Sequence, residues 1–63
     1  MEKDILTRFL NKHVRLVKDD NFVISGKILS CHDDGIMFYT DNKTIFLSYS
    51  RIKEISPLGG SYE

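Results

Sequence analysis

Phe22-Val23-Ile24-Ser25-Gly26-Lys27-Ile28-Leu29-Ser30-Cys31 is the stretch on which the fold turns. It is rich in β-branched and aromatic residues, which suit a pleated, half-buried strand. Phe22, Ile24, Gly26 and Ile28 fall on one face at the strand period of two. A glycine inside such a run marks a bulge or a sharp bend. A ten-residue strand in a chain of 63 residues has to bend somewhere, and Gly26 is the predicted place.

Outward from this strand the chain is punctuated by turn residues. Asp19-Asp20-Asn21 precedes it, with types that tolerate the positive φ of tight hairpins. Before that, Val14-Arg15-Leu16 alternates as a first strand. After it, His32-Asp33-Asp34-Gly35 is a turn and residues 36–40 are a third strand dense in β-formers. Asp41-Asn42 is a two-residue turn, and 43–47 is the fourth strand. Ser48-Tyr49-Ser50 is a short link with room for one helical turn. Residues 51–56 are the fifth strand, ended by Pro57, and 58–63 are expected to be a flexible tail.

Upstream the period changes. Ile5, Leu6, Phe9 and Leu10 form an apolar stripe at helical spacing, predicting a helix over 2–12. Glu2 and Asp4 suit its N-terminus, Asn11 a left-handed C-cap, and Lys12 the last turn. So short a helix has to pack on something, most simply the open end of a barrel. The expected fold is mainly β, one domain over 1–57: a five-stranded antiparallel meander behind an N-terminal α-helix, curled into a small, strongly bent barrel. Val17, Val23, Leu29, Met37 and Tyr39 alternate with the inward set and exceed what one such core hides, which points to a subunit interface.

Composition narrows the function classes. Nine basic and nine acidic residues cancel, so there is no basic excess of the kind that marks nucleic-acid binders; polyanion binding has to come from local clustering. No apolar run approaches the roughly 20 residues of a membrane helix. The single cysteine, Cys31, excludes an internal disulfide and fits a reducing, cytoplasmic setting. With His13 and His32 it makes a poor metal set, and no cofactor or metal is expected. Small domains need reinforcement, and oligomerisation is the route left open.

These stretches together resemble the Sm-like superfamily, in its arrangement of a short helix plus five strands. The first motif is Val14 to Asn21, then Phe22 to Leu29 with Gly26 five residues after Asn21, then Asp33-Asp34-Gly35-Ile36-Met37-Phe38. The second is Ile45-Phe46-Leu47-Ser48-Tyr49-Ser50-Arg51-Ile52-Lys53-Glu54-Ile55-Ser56-Pro57. The resemblance spans about residues 4–57 and implies an Sm/SH3-like barrel. It also implies a homo-oligomeric ring, hexameric or heptameric, closed by pairing the fourth strand of one subunit with the fifth of the next. It further implies single-stranded RNA bound at two pore turns, here His32, Asp33 and Asp34, and Tyr49, Ser50 and Arg51. In this chain His32 stands where that pattern has Asp, no Asn follows, and Tyr49-Ser50-Arg51 replaces the usual Arg-Gly or Lys-His.

The residues themselves carry compatible chemistry. Tyr49 can stack on a base and Arg51 can pair with phosphate. Arg8, Lys12, His13 and Arg15 form a weaker basic rim around the helix end and first strand. Asp33 and Asp34 at a hairpin tip lack the pocket that acid–base catalysis requires, so no enzymatic activity is expected. Two functions remain: a ring that binds single-stranded RNA, or an oligomeric protein-interaction or structural module in which RNA binding is weak or lost.

Overall fold

The computed structural model describes residues 1–58 of the chain. It contains α1 (Lys3–Thr7), β1 (His13–Lys18), β2 (Val23–Cys31), β3 (Gly35–Thr40), β4 (Lys43–Ser48), a 3-10 turn η1 (Tyr49–Arg51) and β5 (Ile52–Pro57). The five strands form one antiparallel sheet in the order β4-β3-β2-β1-β5. The fold is mainly β with a short N-terminal helix, as the sequence predicts.

The expected meander holds from β1 to β4 and stops there. β5 pairs not with β4 but with β1, as in Leu16↔Ile55 and Arg15↔Ser56. The reason lies in η1, which breaks the hairpin after Ser48 and redirects the chain across the core. β4 and β5 are therefore the two edges of the sheet. Leu47 on one edge strand and Ile52 on the other belong to the same buried cluster, so the sheet is strongly curved.

β2 serves two partners. Val23–Lys27 pair with β1, and Lys27–Cys31 pair with β3. The irregularity in β2 lies between Ile28 and Ser30, where Leu29 is the extra residue. Gly26 stands one residue before Lys27, where β2 passes from β1 to β3. A Cβ built there would sit 2.0 Å from the Tyr39 carbonyl oxygen and 2.9 Å from Phe38 Cε2. The missing side chain lets β3 approach β2 at close range, and the register shift follows three residues on.

The core consists of Leu6, Val14, Leu16, Ile28, Ile36, Phe38, Leu47 and Ile52, drawn from every strand and from α1. Phe22 is a correction. It precedes β2, lies in the turn and is 60% exposed, so the inner face begins at Ile24. Of the surplus apolar residues, Val23, Leu29 and Tyr39 are exposed as expected and Phe46 joins them, whereas Val17 and Met37 are half-buried.

The helix is shorter than the predicted 2–12. Its regular part ends at Thr7, after which tighter turns continue, Phe9 N–H to the Leu6 carbonyl at 3.0 Å and Leu10 N–H to that of Thr7 at 3.2 Å. Leu10 then bridges Ile28, and the Asn11 amide donates to the Ile28 carbonyl at 2.8 Å. Pairing with β2 competes with continued helix, and a helix this short has little propagation to oppose it. Asn11 adopts the expected left-handed conformation, φ 64°, where the chain reverses into β1. Leu6, wholly buried, anchors the segment.

The turns follow their chemistry. Asn21 has φ 68°, and the Phe22 amide donates to Asp20 Oδ1 at 3.0 Å. Asp41 and Asn42 both have positive φ, 53° and 63°, as a two-residue type I′ hairpin requires. Asn42→Val should therefore cost about 1–2 kcal/mol, the left-handed penalty of an ordinary L-residue. In a domain of this size each 1 kcal/mol lowers the thermal midpoint by roughly 4–8 °C. Asn42→Gly should leave the midpoint level or higher, and a melting curve of both variants separates backbone strain from lost side-chain contacts.

Candidate functional site

The turn joining β2 and β3 and the 3-10 turn η1 lie side by side. His32 N–H donates to the Gly35 carbonyl at 2.8 Å, closing a hairpin with Asp33 and Asp34 at its tip. Tyr49 ties η1 to this hairpin twice: its amide donates to the Asp34 carbonyl at 3.2 Å, and its hydroxyl to the His32 carbonyl at 2.5 Å. The α-ammonium of Met1 donates to the Tyr49 carbonyl at 2.7 Å and to that of Ile52 at 3.2 Å. His32 Nε2 lies 2.8 Å from Ser30 Oγ, and Lys3 Nζ lies 3.4 Å from Asp33 Oδ1 on the exposed surface.

Four of the six residues expected at the two RNA-binding turns thus meet: His32, Asp33, Asp34 and Tyr49. Ser50 is exposed beside them. Arg51 leaves the group. Its guanidinium Nε sits 3.3 Å from Asp19 Oδ1, and its carbonyl accepts the Asp19 amide at 2.9 Å. The cause is the bulged register that sets Lys18 opposite Ile52, which carries the Asp19 turn to the end of η1. Tyr49 and Arg51 therefore face different turns, and the arginine does not offset the Asp33 and Asp34 carboxylates. Both members of the Arg51–Asp19 pair are about half exposed, so the pair is worth at most about 1 kcal/mol.

The rim residues stand apart. His13 and Arg15 point outward from β1, across from Lys27 and Ser25. They occupy the end of β1 opposite Lys18, near the close of β5, where Val14 pairs with Pro57. Arg8 and Lys12 are exposed on the turn after α1. Among the described residues no three of His, Cys, Asp and Glu cluster as metal ligands.

Three residues escaped sequence reasoning. Lys18 and Phe46 line a cleft of about 280 Å³ with Ile45, Leu47, Ser48 and Arg51. Phe22 stands behind Lys18, with the ammonium 5.6 Å from the ring centroid. The available signal was the symmetric placing of Lys18 and Phe22 on either side of Asp19-Asp20-Asn21, which makes them a cross-hairpin pair; Lys18 N–H donates to the Phe22 carbonyl at 2.9 Å.

The Tyr49 phenol has its pKa raised above the ordinary 10.0, chiefly by partial burial, with Cys31 and Asp33 adding to it. The folded state holds that proton more tightly than the unfolded chain does. Its contribution to stability is fully present below pH 10 and is lost as pH rises through the folded value. Tyr49→Phe should cost about 0.5–1.5 kcal/mol at neutral pH, the net worth of one hydrogen bond. Urea midpoints of the two proteins should converge as pH is raised past 10; a gap that stays constant would show that the phenol proton contributes nothing.

No known family model matches this sequence, and no curated protein matches it.

Proposed function

We propose that this chain is an Sm-like, ring-forming subunit without catalytic chemistry that binds single-stranded RNA in the cytoplasm. The observation that carries the reading is the strand order β4-β3-β2-β1-β5, which leaves β4 and β5 as edges of one curved sheet. Among the described residues neither edge strand has an outer partner, and such edges present rows of free backbone donors and acceptors. Pairing β4 of one copy with β5 of the next satisfies both rows at once, and repetition around an axis closes a ring. Apolar side chains exposed beside the edges, Phe46 on β4 among them, supply area to bury on assembly. The resemblance in the two motifs supports RNA as the ligand, and η1, with Tyr49 and Arg51, is the segment on which such binding centres.

A second reading, an oligomeric protein-interaction module, is favoured by one observation. The hairpin beside Tyr49 carries two exposed carboxylates, Asp33 and Asp34, which repel phosphate.

The native mass of the particle, measured with and without oligo-U or oligo-A, tests both. A mass of six or seven chains is expected, with RNA added at low salt and released steeply as salt rises. A ring that binds neither oligonucleotide at low salt leaves the interaction module; a monomer removes both readings.

A further inference from the structure

The α-ammonium of Met1 is bound within its own fold. It donates to the Tyr49 carbonyl at 2.7 Å and to the Ile52 carbonyl at 3.2 Å, in a partly buried position. The nitrogen is held there from two sides. The Met1 side chain packs against the core cluster, and the Glu2 carbonyl opens α1 by accepting the Ile5 and Leu6 amides at 3.2 and 3.5 Å. Leu6, wholly buried, fixes that helix.

The two acceptors bracket η1. Tyr49 is its first residue, and Ile52 is its C-cap, whose own amide also donates to the Tyr49 carbonyl. The last carbonyls of a helical turn have no partner inside it, and a charged donor bonds them more strongly than a neutral one. The turn's remaining ties are neutral hydrogen bonds to the His32–Gly35 hairpin and to Asp19, and the exposed Arg51–Asp19 pair. We infer that the α-nitrogen of Met1 is a latch on η1: as a free ammonium it holds the turn, and acylation, by an acyl group or by a residue placed before Met1, releases it. Transfer from an acyl thioester forms a C–N bond to that nitrogen and breaks the C–S bond. Two protons leave the nitrogen, one to the thiol and one to solvent. The amide that results carries no charge and one N–H, so it serves one of the two carbonyls at most.

The latch goes beyond the RNA-binding reading and does not rest on it, since the donor and both acceptors belong to one chain. Pairing of β5 with a next copy bears on the Ile52 carbonyl alone. The Tyr49 carbonyl, the shorter contact, lies in η1, outside both edge strands. What the latch controls is the segment that carries Tyr49, Ser50 and Arg51 and from which β5 departs.

Native-state amide exchange, read by NMR, tests this on the full chain made by chemical synthesis with four N-termini: free, N-methylated, N-acetylated, and with the α-amino group replaced by hydrogen. The β2–β3 ladder amides report whether each chain folds. Acetylation and deamination should each speed exchange of the Tyr49 and Ile52 amides roughly 10-fold, the low end for losing a hydrogen bond to a charged group, with the β2–β3 ladder unchanged. The N-methyl chain keeps the charge and two N–H donors, and should match the free one. Equal rates at Tyr49 and Ile52 in the free and acetylated chains overturn the latch. Uniform acceleration across the sheet overturns it as a local device. Acceleration by acetylation but not by deamination overturns it in favour of crowding by the added group.

Discussion

Phe38→Ala should leave this chain largely unfolded in water at 25 °C. Phe38 is the largest of the fully buried side chains, and its backbone is paired with both Ile28 and Ile45. Truncating a buried phenylalanine costs about 3–5 kcal/mol, transfer and cavity together. At 0.05–0.15 kcal/mol per residue, a domain of 63 residues has only about 3–9 kcal/mol in total. The variant spends most or all of that margin. A urea titration followed by circular dichroism reads it directly, since m is about 1 kcal/mol/M for so small a protein. A midpoint lowered by less than 1 M would mean that assembly, and not this core, holds the subunit together.

Gly26→Ala should be nearly as damaging, although it adds a single methyl group. That carbon would lie 2.0 Å from the Tyr39 carbonyl oxygen and 3.0 Å from the Tyr39 carbonyl carbon. Both atoms are backbone, fixed by the Lys27↔Tyr39 pairing, so neither can swing away as a side chain would. The change gains about 0.4–1 kcal/mol by stiffening the unfolded chain. It loses about 1–3 kcal/mol to overpacking, and more once the ladder opens. Ser25→Ala, one residue earlier on the exposed side of the strand, should stay within about 0.5 kcal/mol of the parent. Equal urea midpoints for the two variants would refute the close-approach role of Gly26.

What the sequence made legible was local. Asp41-Asn42 and Asn21 announce their left-handed turns by residue type alone, and the structure has all three at positive φ. The alternation in β3 and β4 places Ile36, Phe38 and Leu47 inward without reference to anything distant. Pairing over long distance left no such mark. Nothing in residues 52–57 says that their partner is β1 and not β4; that depends on η1 turning the chain after Ser48. The helix was overread for a related reason. Leu6 and Phe9 face the core both in a helix and in the tight turns that replace it, so their spacing does not distinguish the two. At the candidate site, the structure puts His32, Asp33 and Asp34 on one turn and Tyr49, Ser50 and Arg51 on an adjoining one. The divergence of Tyr49 and Arg51 arises from the bulged β1–β5 register, which no local motif encodes.

That β1–β5 ladder also bears on the order of events in folding. The β1–β2, β2–β3 and β3–β4 hairpins close loops of a few residues, whereas the Leu16↔Ile55 pairing closes a loop that holds β2, β3, β4 and η1. Closing a longer loop costs more chain entropy, so β5 is the last strand whose docking becomes favourable. Until then β1 keeps an open side, and β5 is a free segment swinging from η1. Whether it settles on its own β1 or on that of another chain is a race between a unimolecular and a bimolecular step, which protein concentration decides.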